Sequence, residues 1–134
     1  MEWKEKEPKC GDIVRTKVTF YHHYGIFTDK DTVIQFGLPD NVNRPANEVT
    51  VLESDVYEFL RGGEMEVCVP SHSEKAKMRA PKEIVAIARE RIGEGGYDIL
   101  HNNCEHFVNE CVFGEHRCSF LDKAREQLRA KLGK

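Results

Sequence analysis

The sequence predicts an α+β fold in which an antiparallel sheet from the first half of the chain packs against helices from the second half. Residues 11–69 are rich in β-branched and aromatic residues and are broken by short turn sequences. Residues 81–132 carry apolar residues at helical spacing. Because the strands come first and the helices last, this order favours α+β over alternating α/β units.

Length and composition indicate one soluble domain over residues 1–134. Hydrophobic residues make up 40% and charged residues 32%, and 20 basic against 23 acidic side chains give a net charge of −3. That charge does not favour nucleic-acid binding. No apolar run is long enough for a bilayer-spanning helix, and the charged N-terminus does not resemble a signal peptide. We therefore expect a cytoplasmic protein whose five cysteines are free thiols. The oligomeric state is not indicated.

Five strands are predicted in the first half, at residues 13–18, 21–27, 32–36, 49–52 and 65–69. The second and third surround a short polar segment, which predicts a hairpin. If residues 28–30 form a three-residue loop, His23 lies directly opposite Gln35 on one face of the sheet. After the fourth strand, Ser54 is expected to cap a short helix.

Helical segments follow an exposed polar connector predicted at residues 71–80. The first helix begins at Pro81 and runs to about Ile92. The second begins near Asn102, since Asn102 and Glu105 have the spacing of a capping box.

A third helix is predicted over residues 119–132. Its apolar residues at helical spacing are Leu121, Ala124, Leu128 and Leu132. We expect this face to pack on the domain. The alternative is a basic amphipathic helix that makes peripheral contact with anionic lipid.

Cys104 is the cysteine placed best for chemistry. A helix that begins near Asn102 puts its thiol in the first turn, where unpaired N–H groups and the helix dipole favour the thiolate and lower its pKa. The same N–H groups could stabilise an oxyanion. A buried structural cysteine is an equally weighted alternative.

A thiolate nucleophile needs a base, which is usually histidine. His23 is the leading candidate, because the predicted hairpin gives its ring an orienting partner in the side-chain oxygen of Gln35. His101 is a second candidate, since it precedes the helix of Cys104. In the alternative interpretation, His23 is a partly buried strand histidine and Gln35 is a solvated polar residue.

Four segments resemble one family. They are Pro8–Ile13, Tyr21–Phe27, Gly93–Asp98 and Asn103–Asn109. Together they resemble the lecithin retinol acyltransferase family, which includes phospholipase A/acyltransferases. The resemblance covers about residues 8–120. It implies a circularly permuted NlpC-type, papain-like fold with the nucleophile at a helix N-terminus.

The resemblance also implies roles for three residues. Cys104 would be the nucleophile, His23 the general base, and Gln35 the group that orients His23, at a position where the family normally has a second histidine. The implied activity is a thiol-dependent acyltransferase or phospholipase A-like hydrolase. It would form a thioester from a phospholipid or another acyl donor.

Two other functions stay open. A thiol amidase or peptidase of the NlpC type would use the same Cys–His pair, and a catalytically weak binding module would keep only the fold. No cofactor or metal is expected, because no two cysteines have the spacing of a zinc site.

Overall fold

The structure, a computed structural model, describes residues 1–133 apart from the side chains of Val42 and Phe120. The strands are β1 (Glu2–Lys4), β2 (Ile13–Val18), β3 (Tyr21–Phe27), β4 (Thr32–Phe36), β5 (Val51–Asp55) and β6 (Glu66–Val69). The helices are α1 (Val56–Leu60), α2 (His72–Lys77), α3 (Pro81–Glu90), α4 (Cys104–Phe113) and α5 (Ser119–Leu132). Two short 3-10 helices, Asn41–Asn43 and Ala46–Glu48, lie between β4 and β5.

The strands form one antiparallel sheet in the order β1-β6-β2-β3-β4-β5. Helices α3 and α4 pack on one face, and α1 covers part of the other. The residues buried against α3 and α4 include Ile13, Tyr24, Ile26, Ile34 and Phe36. A smaller cluster surrounds Phe59 of α1. This arrangement confirms the prediction of a mixed fold with an antiparallel sheet packed against helices.

Alternation along β3 decides which side chains meet α4. Tyr24 and Ile26 face α3 and α4, so His23 and Gly25 face the side that α1 covers. A Cβ at Gly25 would lie 2.4 Å from a methyl carbon of Val33 and 3.1 Å from the Phe59 ring. Glycine at this position therefore lets α1 pack closely on the sheet next to His23.

The hairpin between β3 and β4 differs from the predicted register by two residues. Gly25, rather than His23, lies opposite Gln35. The turn closes one residue later than predicted, where the Thr28 N–H donates to the Thr32 carbonyl at 2.9 Å. Because side chains alternate with a period of two, this shift leaves His23 and Gln35 on the same face, as diagonal instead of direct neighbours.

The structure differs from the predictions at three other places. The fourth strand is β5, which runs to Asp55, and Asp55 rather than Ser54 caps α1 by accepting the Glu58 N–H at 2.7 Å. The connector at residues 71–80 contains α2, which begins with a capping box of Ser71 and Glu74. Strand β1, which pairs with β6, was not predicted because its residues are mostly charged.

Helix α5 does not pack on the domain as expected. Every described residue from Lys123 onward is exposed, and Leu128 and Leu132 are 57% and 76% exposed. Periodicity therefore predicts the helix but not its environment. Within residues 1–133, no helix combines the length and the apolar character that crossing a membrane requires.

Candidate active site

Cys104 is the first residue of α4, and Asn103 caps that helix. The Asn103 side-chain oxygen accepts the backbone N–H groups of Glu105 at 3.0 Å and His106 at 3.1 Å. In return, His106 Nδ1 accepts the Asn103 N–H at 3.0 Å. The capping box is thus formed by Asn103 and His106, one residue later than the predicted box that began at Asn102. The predicted place of Cys104 in the first turn is confirmed.

The Cys104 thiol is buried, with 5% of the residue exposed. Burial raises the pKa of the thiol to about 12, although backbone N–H groups of Tyr24, Cys104 and Glu105 point to the sulfur and favour the thiolate. The predicted fall in pKa is therefore wrong, because desolvation outweighs the helix N-terminus. A thiol in this state needs a nearby proton acceptor before it can attack.

His23 lies in the middle of the sheet and is fully buried. Its Nε2 lies 2.7 Å from the side-chain oxygen of Gln35, so the predicted contact is confirmed despite the different register. The His23 ring also packs against Phe59, with ring centroids 5.5 Å apart. The amide and the aromatic ring together hold the imidazole in one orientation.

Ser54 determines which way the Gln35 amide points. The Ser54 hydroxyl donates to the Asp55 carbonyl at 2.9 Å, so its oxygen is free to accept the Gln35 NH₂ group at 2.6 Å. The Gln35 side-chain oxygen must then face His23 and accept a hydrogen bond from the Nε2–H group. This chain of donors assigns the neutral His23 tautomer with the proton on Nε2 and a lone pair on Nδ1.

The Nδ1 atom of His23 is buried and has no hydrogen-bond partner within residues 1–133. Burial lowers the pKa of His23 to about 4, against the opposing effects of the Gln35 amide and the Gly37 carbonyl. The ring is therefore neutral at pH 7. An unpartnered lone pair on a buried, oriented imidazole is the arrangement that a general base requires.

The structure places Cys104 next to the backbone of β3. Its sulfur faces the N–H of Tyr24, the residue that follows His23. The thiol does not hydrogen-bond to His23 Nδ1 in this state. His23 and Gln35 are thus in direct contact, and Cys104 lies beside the same strand without a bond to the ring. Hydrogen bonds of this kind are often long or absent before substrate binds.

Polar groups surround the approach to Cys104. The pKa values of the Tyr21 and Tyr97 hydroxyls are raised, mainly by burial and to a smaller extent by the nearby Cys104 thiol. The Tyr21 hydroxyl donates to the Pro39 carbonyl at 2.8 Å. The Asn41 side-chain oxygen is buried and unpartnered among the described groups.

The sequence predicts Ser54 as a helix cap and gives it no place at this site. Extending the strand at 49–52 to residue 55 would have placed Ser54 beside the strand of Gln35, where β5 and β4 pair Ser54 with Val33. The signal was thus a strand boundary rather than a motif.

The remaining histidines lie elsewhere. His22 faces the opposite side of β3 from His23, near Arg15 and Glu66. His101, the second candidate base, is exposed, and its ring lies 3.3 Å from Asp98. His106 caps α4 and stacks on His116, with centroids 4.1 Å apart. These positions leave His23 as the histidine with a buried, unpartnered ring nitrogen on the strand whose backbone Cys104 contacts.

Comparison with known proteins relates this geometry to one family. The family model described as lecithin retinol acyltransferase matches residues 6–117. The chain is 25% identical to phospholipase A and acyltransferase 4 of Homo sapiens over 92% of this chain and 80% of that protein. It is 26% identical to phospholipase A and acyltransferase 3 of Homo sapiens over 81% of this chain and 72% of that protein. It is 27% identical to the lecithin retinol acyltransferase of Bos taurus over 89% of this chain and 60% of that protein. The chain therefore belongs to the lecithin retinol acyltransferase family.

Proposed function

We propose that this protein is a thiol-dependent acyltransferase or phospholipase A-like hydrolase that acts on phospholipid acyl esters. In this proposal Cys104 is the nucleophile, His23 is the general base and Gln35 orients His23. The observation that carries the proposal is the buried Nδ1 of His23, which is neutral, oriented by Gln35 and otherwise unpartnered. The names of the relatives supply the acyl-ester chemistry.

The first half of the reaction forms a thioester. As the substrate carbonyl reaches the sulfur, Nδ1 of His23 takes the thiol proton and the Cys104 sulfur bonds to the carbonyl carbon. Backbone N–H groups at the start of α4 stabilise the oxyanion. The intermediate then collapses and breaks the ester C–O bond. The His23 imidazolium returns its proton to the departing lysophospholipid alkoxide.

The second half transfers or hydrolyses the acyl group. Nδ1 of His23 takes a proton from water, a hydroxyl or an amine, and that acceptor attacks the thioester carbonyl. The C–S bond breaks, and the proton returns to the Cys104 sulfur. Throughout, the Gln35 oxygen accepts the Nε2 proton, so it supports both the neutral ring and the imidazolium while carrying no charge itself.

Exposed apolar side chains favour a lipid substrate over a peptide. Phe20 is 96% exposed in the turn before β3, which carries His23. Ile99 and Leu100 are 58% and 45% exposed in the segment that leads to Cys104. Apolar side chains on both approaches suit a substrate with acyl chains.

Intact-mass analysis with a short-chain phosphatidylcholine tests this function. We expect an acyl adduct on the wild-type protein that disappears in Cys104→Ala, with turnover reduced at least ~1,000-fold. Cys111→Ala is the matched control, because Cys111 is a second buried cysteine on α4. An adduct that survives in Cys104→Ala would rule out this nucleophile. Cleavage of a dipeptide amide without any lipid adduct would rule out the lipid substrate.

A further inference from the structure

Helix α5 presents an apolar stripe that is exposed from Ala124 to Leu132. The stripe consists of Leu121, Ala124, Leu128 and Leu132, and only Leu121 is half-buried. The helix is nevertheless attached firmly at its start. Arg117 pairs with Asp122 at 2.9 Å, and the Ser119 N–H and hydroxyl both donate to the Glu105 carboxylate.

Basic residues border this stripe. At 3.6 residues per turn, Arg125 and Arg129 lie along one side and Lys131 along the other. The sole acidic residue after Asp122, Glu126, lies on the opposite side of the helix. Long basic side chains beside an apolar face can lay their carbon stems along that face and hold their charges at its edge.

The charge of the chain is strongly segregated. Residues 123–134 contain five basic and one acidic side chain, for a net charge of +4. Residues 1–122 contain 15 basic and 22 acidic side chains, for a net charge of −7. The near-zero total therefore hides a basic segment that attracts anions and an acidic remainder that repels them.

We propose that α5 is a docking surface for anionic phospholipid bilayers, with its apolar stripe in the interface and its bordering basic residues among the headgroups. An apolar stripe edged by cations fits a membrane surface, which offers hydrocarbon and negative charge side by side. The stripe is only four residues long, so electrostatic attraction supplies much of the binding. Binding should therefore require anionic lipid and weaken with salt.

Docking through α5 has a consequence for the candidate active site. The helix begins at a hydrogen bond to Glu105, the residue after Cys104. A bilayer bound along α5 is therefore tethered to the start of α4. The docking surface does not depend on catalysis, so the two proposals fail separately.

Vesicle sedimentation with the full chain tests the surface. Cys104→Ala protein is used, so that no lipid turns over. We expect vesicles of phosphatidylcholine with roughly one quarter phosphatidylserine to bind at least about tenfold more protein than phosphatidylcholine alone. Raising the salt from about 0.1 M to about 0.5 M should remove most of the binding.

Two variants separate the stripe from general charge. Leu128→Gln combined with Leu132→Gln should lower binding at least about fivefold, whereas Ala130→Gln on the opposite side should change it less than about twofold. Glutamine is a good helix former, and far-UV circular dichroism checks that α5 persists. Equal binding by both variants, or binding independent of phosphatidylserine, overturns the proposal. So does a lipid-free dimer that Leu128→Gln with Leu132→Gln dissociates, since the stripe would then bind a second copy.

Discussion

Helices α4 and α5 both lie in the last third of the chain, but α4 is buried against the sheet and most of α5 is exposed to solvent. α4 buries Phe107, Val108, Cys111 and Val112 against the sheet, and its first residue is the candidate nucleophile. From Lys123 onward α5 has no buried residue. Both show helical periodicity, so periodicity predicts a helix without predicting its partner. The difference lies in composition, because α5 has charged residues on both borders of its apolar stripe.

The largest expected effect compares one apolar residue from each helix. Phe107 of α4 is fully buried against the sheet, so Phe107→Ala should lower the free energy of unfolding by about 4 kcal/mol. Leu132→Ala on α5 should change it by less than about 0.5 kcal/mol, because that side chain is already in solvent. Urea denaturation measures both values. A loss above about 1 kcal/mol for Leu132→Ala would show that α5 packs against the protein in solution.

The sequence predicted the sheet well because its central strands are rich in β-branched and aromatic residues and are separated by short turn sequences. The bounds of β2, β3 and β4 agree with the predictions. The register of the hairpin could not be predicted, since it depends on where the turn closes. The His23–Gln35 contact was still predicted correctly, because an error of two residues does not change the face of a strand.

The electrostatics of the site could not be read from the sequence. Spacing placed Cys104 at a helix start and implied a lowered pKa, but the degree of burial is set by β3 and α4 packing together. The role of Ser54 was missed for a related reason, since it depends on pairing between distant strands. Local patterns identify the site residues, while their protonation depends on tertiary contacts.

The second prediction concerns pH and the buried His23. The pKa of His23 is lowered to about 4 in the fold, whereas an exposed histidine has a pKa near 6.5. The unfolded chain therefore binds a proton that the folded chain does not. This contribution to stability is complete above pH 6.5 and is lost as pH falls toward 4, by about 3 kcal/mol in total. We expect wild-type protein to lose that much more stability than His23→Asn over this range in urea titrations.

His23→Asn and the wild type are compared by urea denaturation at several pH values between 7 and 4. If His23→Asn instead has the same pH dependence as the wild type, His23 is accessible to protons in solution. The buried state of the ring would then be wrong.

The third prediction tests the chain of hydrogen bonds behind His23. Gln35→Ala should lower kcat about 100-fold, because the ring loses the acceptor for its Nε2 proton. Gln35→His should retain or raise activity, since a second imidazole can accept the same proton. Ser54→Ala should cost only about three- to tenfold, because it frees the amide to turn without removing it.

The pH dependence of kcat distinguishes positioning from structural damage in these variants. Loss of orientation should alter the acidic limb of the profile, where His23 titrates, while thermal stability stays close to that of Gln35→His. Full activity in Gln35→Ala would show that another group orients the ring.

The fourth prediction, with the smallest expected effect, concerns the N-terminal caps of α4 and α5. Asn103 caps α4 with its side chain, whereas Cys118 at the start of α5 makes no side-chain cap. Asn103→Ala should therefore lower the free energy of unfolding by about 1 kcal/mol. Asn103→Asp should lose less, since a carboxylate accepts the same N–H groups. Asn102→Ala is the sharper comparison, because the Asn102 side chain donates only to the Gly96 carbonyl at 2.9 Å. If Asn102→Ala costs more than Asn103→Ala, the helix begins one residue earlier, as the sequence spacing predicted.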